Sequence, residues 1–249
     1  MAGFKDVFQR IEVKYLLDDM QYTELRKRLE NMAAVDSYGK TSILNIYFDT
    51  PDYKLIERSL EKPIYKEKLR LRTYGVAKDD TNAFIEIKKK YKGVVYKRRI
   101  SMPYAEAMEY LVDGKKPKER SQISDEIDYF LRFYKGIRPA MAISYDRIAM
   151  AGIEDPDLRI TFDTNIRWRT DKLSLKEGNT GKDILLPGQH LMELKIAGAM
   201  SIELAKILDE LNIRKTSFSK YGKGYVEYMY GEDAKERNKS NITNFRRAV

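Results

Sequence analysis

Cationic and aliphatic residues alternate in one strand-like segment after another, and this repeated pattern constrains the fold more than anything else in the sequence. Lys66, Lys68, Arg70 and Arg72 interleave with Leu69 and Leu71, and Glu86, Lys88 and Lys90 with Ile85 and Ile87. Arg10, Glu12 and Lys14 oppose Ile11, Val13 and Tyr15; Arg159, Thr161 and Asp163 oppose Leu158, Ile160 and Phe162. Glu193 and Lys195 oppose Met192, Leu194 and Ile196. Residues i and i+2 share a strand face, so each segment has one apolar and one charged face. The periodicity predicts strands over 8–17, 42–49, 66–74, 83–90, 94–101, 140–149, 157–164 and 190–197. Tyr91-Lys92-Gly93 joins two of them as a short hairpin connection. Helical spacing marks 19–33, 104–112, 122–134, 201–212 and 218–230. Thr50-Pro51 reads as an N-cap followed by proline at the first helical position, opening a helix to about residue 60.

An antiparallel sheet with one wet face also alternates. Here, however, the polar face is mostly Arg and Lys with Glu as companion, and Ser, Thr and Gln are scarce. The helices also carry apolar faces, and the aliphatic strand faces are what they can cover. The expected architecture is α+β: an eight-stranded antiparallel β-barrel with helices packed outside and the charges turned inward. Residues 1–231 read as one domain. The charged, Asn-rich stretch 232–249, with Arg246-Arg247, reads as a tail.

The formal net charge of +9 is the small remainder of 47 Lys+Arg against 38 Asp+Glu, so placement matters more than total. Cations lining a passage cost several kcal/mol each unless paired. A chain of phosphates supplies that pairing, because i and i+2 side chains repeat every ~6.5–7 Å along a strand. Arg offers a fork and Lys a point charge to phosphate oxygens. Glu-x-Lys recurs at Glu12/Lys14, Glu86/Lys88 and Glu193/Lys195. Each Glu either neutralises its neighbours or holds Mg²⁺ or Mn²⁺ bridging phosphate oxygens. The absence of Cys removes disulfides and thiolate metal sites, and one His excludes any site needing two. That residue, His190, lies at a strand edge and reads as structural. No apolar run reaches the roughly 18–20 residues of a membrane span, and Met1–Gln9 has no apolar leader segment. A cytoplasmic location is expected, with a membrane-protein partner left open. Basic residues spread over alternating positions, without a nucleic-acid motif, argue against a nucleic-acid partner. Most of the 18 tyrosines fall in packing patterns.

Taken in order, the segments FQRIEVKYLL (8–17), NIYFDTPDY (45–53), KEKLRLRTYG (66–75), FIEIKKKYKGVVYKRR (84–99), RPAMAISYDRIAM (138–150), RITFDTNI (159–166), MELKIAG (192–198) and SFSKYGKG (217–224) resemble the VTC (vacuolar transporter chaperone) catalytic domain. That domain is the polyphosphate polymerase branch of the triphosphate tunnel metalloenzymes. The resemblance implies an eight-stranded tunnel that binds ATP and inorganic polyphosphate or triphosphate, with a divalent cation, Mn²⁺ or Mg²⁺. It implies Arg70, Arg72, Lys88, Arg147 and Arg159 as catalytic groups. Lys14, Arg58, Lys68, Lys97, Arg99, Lys195, Ser219 and Lys220 complete the phosphate-binding set. Glu193 matches the family's metal carboxylate, with Glu12 and Glu86 as further candidates. Tyr47 shares the inward parity with Asn45, where it either orients phosphate or packs. Arg10 replaces the first Glu of the Glu-x-Glu-x-Lys opening typical of the cyclase and thiamine-triphosphatase branch. Ser217 stands where relatives carry a second Lys. No SPX-type regulatory domain accompanies these motifs, which implies a bacterial-type stand-alone protein. The implied activity is an ATP-dependent polyphosphate polymerase. A tripolyphosphatase or nucleoside triphosphatase and a non-catalytic polyphosphate-binding module are the alternatives.

Overall fold

The alternating segments form the strands of one antiparallel sheet: β1 (Arg10–Leu17), β2 (Ala33–Asp49), β3 (Tyr65–Tyr74), β4 (Asn82–Tyr91), β5 (Val94–Pro103), β6 (Arg138–Gly152), β7 (Arg159–Arg169), β8 (Lys182–Asp183), β9 (His190–Ala197) and β10 (Lys215–Thr216). The helices are α1 (Asp19–Arg28), α2 (Lys54–Leu60), α3 (Tyr104–Val112), α4 (Gln122–Phe133), α5 (Ile202–Glu210) and α6 (Lys220–Tyr230). The structure, a computed structural model, describes residues 10–92 and 94–231. Phe8 and Gln9 of the first expected strand, Gly93 of the hairpin connection and the expected tail 232–249 with Arg246-Arg247 lie outside the described residues.

The strand order is β10-β1-β9-β7-β6-β2-β3-β4-β5, with β8 paired to β7. This corrects two expectations. Among the described residues the sheet has ten strands, not eight, because β8 and β10 are two residues each and too short to show a period. Nor is it a closed barrel, since β5 and β10 end the path and do not pair with each other among the described residues. The sheet curls nonetheless: Lys88 on β4 lies 3.7 Å from Glu12 on β1, which bridges the two ends with side chains instead of a backbone ladder.

The apolar strand faces lie under helices. Leu44, Ile46 and Phe48, Leu69 and Leu71, and Ile85 and Ile87 pack beneath Ala107 and Tyr110 of α3 and Ile127 and Phe130 of α4. Ile160 and Phe162, with Met192 and Leu194, pack beneath Leu25 of α1 and Leu204 and Leu208 of α5. The charged faces therefore turn to the concave side. Helix α6 departs from the expectation that all helices lie outside. Its Tyr221 stacks on Tyr47, with ring centroids 4.6 Å apart, and joins Met141, Ile143, Trp168 and Leu191 in a third apolar cluster. Tyr47 shares the charged face, since its hydroxyl accepts a hydrogen bond from Arg70. The solitary His190 is structural, as expected; its ring stacks on Tyr22 and its Nε2 hydrogen-bonds Asp19 at 2.7 Å. Among the described residues no helix is long and apolar enough to cross a membrane.

Element boundaries shifted where capping chemistry decided them. The first helix stops at Arg28 instead of residue 33, and Leu29 continues the apolar spacing as the C-cap. Helix α2 starts at Lys54, not at Pro51. Thr50 Oγ1 accepts from Lys54 N, while the fully buried Asp49 accepts from Thr50 N, Leu55 N and Ile56 N and from the Tyr221 hydroxyl (2.8 Å). One carboxylate thus holds α2 and α6 to the end of β2. Asp49→Ala leaves these buried donors without an acceptor and is expected to cost about 3 kcal/mol, whereas Tyr221→Phe removes one bond and costs about 1 kcal/mol. Urea denaturation of the two variants checks this difference.

Candidate functional site: a cationic concave face

Two carboxylate-centred clusters organise the concave face. In the first, Glu86 on the central part of β4 is 1% exposed and receives three cations from both neighbouring strands. Arg70 Nε and Lys97 Nζ each lie 2.5 Å from a Glu86 oxygen, and Arg72 Nε lies 3.8 Å away. Arg72 is further held by Asn45 Oδ1 (2.8 Å) and the Tyr145 hydroxyl (3.0 Å), both accepting from its guanidinium. Burial alone would raise the Glu86 pKa, but the charges of Arg70, Arg72 and Lys97 hold it down at about 2.

In the second cluster, Asp163 and Glu193 are both buried. Asp163 accepts both forks of Arg147 at 2.6 and 2.7 Å and sits 2.6 Å from Lys220 Nζ. Glu193 lies 3.1 Å from Lys220, 3.3 Å from Lys14 and 3.5 Å from Arg147. Lys14 also lies 3.6 Å from Glu12, which in turn reaches Lys88. Against the effect of burial, Lys220, Lys14 and Arg147 hold the Glu193 carboxyl well below the usual range. Burial likewise opposes the charge on Lys220, yet Asp163 and Glu193 raise its pKa. The Tyr145 ring lies 5.2 Å from Arg147 and 4.6 Å from Lys220, adding a cation–π surface between the two clusters.

These clusters bring together Lys14, Arg70, Arg72, Lys88, Lys97, Arg147, Lys220, Glu12, Glu86 and Glu193. Lys68 adjoins them and donates to Ser219 Oγ at 3.3 Å. Ser219 is at the same time the N-cap of α6, accepting from Gly222 N. Register places Arg159 opposite Lys195, Lys195 opposite Glu12, and Arg99 opposite Glu86, on the same face but outside the ion-pair clusters. Arg99 lies instead 4.8 Å over the Phe84 ring. Arg58 is elsewhere: it shares a small cavity with Leu55, Tyr65, Glu67 and Tyr134, and Glu67 has the parity of the apolar β3 face. Asp163, Asn45 and Tyr145 were not singled out in the sequence as site residues. Asp163 and Asn45 could have been found by parity, since they stand two residues from Thr161 and Tyr47 on charged faces.

The three expected metal carboxylates do not form one site. Both Glu86 oxygens are taken by cations at 2.5 Å, whereas the three cations around Glu193 stand farther off, at 3.1, 3.3 and 3.5 Å. Glu12 and Glu193 share Lys14 on neighbouring strands. Thr161 Oγ1, opposite Glu193 in register, is buried without a hydrogen-bond partner among the described residues. No group of three or more Asp, Glu or His is placed to hold a metal among the described residues. Mg²⁺ needs only one or two protein carboxylates when phosphates and water complete its shell, so Glu193 and Glu12, with the orphaned Thr161 hydroxyl, fit such an ion.

Burial lowers the pKa of Lys68 to about 8, with help from Lys66, Lys14 and Lys88. Burial also brings Lys97 down to about 8, even with Glu86 beside it. The Tyr47 hydroxyl is lowered too: burial would raise it, but Arg70 and Lys68 hold it at about 8. Below pH 8 both lysines carry the charge a phosphate needs; above it they are neutral and Tyr47 turns anionic. All three changes disfavour an anion as pH rises. Inorganic triphosphate is expected to bind at least about tenfold more weakly at pH 9 than at pH 7, measured by calorimetry.

The geometry can be set beside known proteins. The model of the VTC domain family matches residues 9–229. A search of curated proteins found no relative of this sequence. Among solved structures, a candidate adenylyl cyclase from Hippeastrum, described as having a dominant triphosphatase activity, is 15% identical with a TM-score of 0.55, covering 87% of this chain and 95% of that one. A candidate adenylate cyclase from Bacillus halodurans is 14% identical with a TM-score of 0.53, covering 84% and 93%. The chain shares the fold of these neighbours. With the charged motifs brought to one face and the family's model matched over nearly all of the described residues, the chain belongs to the VTC domain family.

Proposed function

We propose that the protein is an ATP-dependent polyphosphate polymerase that transfers the γ-phosphate of ATP to an inorganic polyphosphate chain on the concave face. The observation that carries this reading is the imbalance on that face. Lys14, Lys68, Arg70, Arg72, Lys88, Lys97, Arg147 and Lys220 stand against Glu12, Glu86, Asp163 and Glu193, twice as many cations as carboxylates. A polyanion satisfies the remainder. Family membership points to the same substrate class.

Phosphoryl transfer depends on positioning and charge neutralisation more than on protein nucleophiles. Arg70 and Arg72, held by Glu86, Asn45 and Tyr145, present donors at fixed positions, as does Arg147 on Asp163. In the proposed reaction these groups grip the triphosphate while a terminal oxygen of the acceptor chain attacks the γ-phosphorus. The bond between the γ-phosphorus and the bridging oxygen breaks, and ADP leaves with that oxygen. Mn²⁺ or Mg²⁺ held by Glu193 and Glu12 would neutralise phosphate oxygens. Arg159, Lys195 and Arg99, exposed or half-buried around the clusters, extend the cationic track for the chain.

A triphosphatase is the second reading, favoured by one observation. Helix α6 enters the concave face and fills one end of it with Tyr221 and Tyr225 against Met141 and Trp168. A substrate needing only one open end suits that shape, with water as acceptor.

Product analysis separates the readings. Purified protein incubated with ATP and Mn²⁺ or Mg²⁺ is expected to yield chains that migrate as polyphosphate on a gel. Free phosphate alone would establish the hydrolase, and tight polyphosphate binding without turnover a binding module. Glu193→Gln is expected to lower metal-dependent turnover at least about a hundredfold while retaining polyphosphate binding. Glu86→Gln is expected to leave the half-saturating metal concentration unchanged, because Glu86 orders cations. A shift in metal dependence for Glu86→Gln but not for Glu193→Gln would reverse the two roles.

A further inference from the structure

The outer end of the β4–β5 hairpin carries an exposed apolar patch set among unpaired lysines, apart from the carboxylate-centred clusters. Lys92 N donates to Ile64 O at 3.0 Å, tying the segment ahead of β3 to the hairpin. Tyr65 pairs with Tyr91, Lys66 with Lys90, Tyr91 with Val94 and Lys90 with Val95. At this hairpin end Tyr91, Val94 and Tyr96 (46%, 40% and 57% exposed) lie on the face away from the clusters, Val95 (44% exposed) lies with Lys90 on the other face, and Ile64 (69% exposed) sits beside the turn. Lys62, Lys90 and Lys92 are exposed beside them, and among the described residues none has a carboxylate within ion-pair distance. Further along the same hairpin the situation differs: Lys89 and Arg98 both reach Glu126, at 2.6 and 3.6 Å. Burial lowers the Lys66 pKa, and Lys90 and Lys62 lower it further.

We propose that this end of the sheet docks on an anionic membrane surface, with Ile64, Val94 and the two tyrosines entering the headgroup region and Lys62, Lys90 and Lys92 facing lipid phosphates. The composition of the patch selects this occupant. A hydrated polyanion in solution would pair with the lysines but gains nothing from exposed Ile64, Val94 and Val95. A nucleic acid would stack on the tyrosines and likewise leave the aliphatic groups wet. An anionic bilayer uses all three kinds of residue: aliphatic side chains at the acyl boundary, tyrosines at the interface and lysines on the phosphates. Lysines beside an edge strand such as β5 would only guard it against pairing with other chains, but guarding does not call for aliphatic neighbours.

The test is co-sedimentation of the full chain with vesicles of phosphatidylglycerol and phosphatidylcholine, compared with phosphatidylcholine alone. Binding is expected only to the anionic vesicles and is expected to weaken as salt rises. Each lysine near such a surface contributes about fivefold, so Lys62→Gln with Lys92→Gln should lower binding roughly thirtyfold. Ile64→Ser with Val94→Ser should lower it at least about tenfold at low salt. Circular dichroism and triphosphate binding, both expected to match the unmodified chain, show that the variants are folded. No binding to anionic vesicles, or variants that bind like the unmodified chain, overturns the proposal. Binding lost in the lysine variant but retained in Ile64→Ser with Val94→Ser also overturns it, and assigns the patch to a soluble polyanion or an acidic protein surface.

Discussion

Asp163 and Glu193 lie on adjacent strands and between them hold Lys14 from β1, Arg147 from β6 and Lys220 from the start of α6. Without these two buried carboxylates the three cations would repel one another in a poorly solvated space. Much of the concave face depends on this arrangement. Lys220 draws α6 onto the sheet, Tyr221 then stacks on Tyr47, and Tyr47 accepts from Arg70 in the other cluster. Charge pairing thus ties the two halves of a sheet that has no closing backbone ladder.

The same pairing prepares the face for an anion. Arg72 is fixed by Asn45 and Tyr145, and Arg147 by both oxygens of Asp163, so their donors are ordered before any ligand arrives. Preordered donors act more strongly on developing negative charge than donors that must reorganise. The carboxylates also tolerate the waiting state: they neutralise part of the cationic excess but leave enough to attract phosphate. Glu86 shows the balance most plainly, with three cations around one carboxyl whose pKa falls to about 2.

Much of this was legible in the linear sequence because parity is a local property. Leu69 and Leu71 under α3 and α4, and Arg70 and Arg72 on the opposite face, follow from alternation alone. So does the shared face of Glu12, Lys14, Glu193 and Lys195. Three things were not legible. Asp163 was visible at the right parity, but nothing local shows that it meets Lys220, which lies 57 positions away. Arg58 sits near the Arg-Leu-Arg strand in sequence, yet α2 starts at Lys54 because Asp49 and Thr50 cap it there, and Arg58 ends beside Glu67 and Tyr134. The two extra strands leave no trace in the alternation because pairs as short as Lys182–Asp183 and Lys215–Thr216 carry no period.

The sequence alone determined which residues share a face, that the charged faces belong together, and that the aliphatic ones need helices to cover them, because side-chain period is set by backbone geometry within each segment. Only the tertiary structure decided which cation meets which carboxylate, that the curled sheet stays open between β5 and β10, and that α6 fills one end of the concave face. Those outcomes depend on strand order, register and the burial of charge, which arise from contacts between distant segments and leave no local pattern.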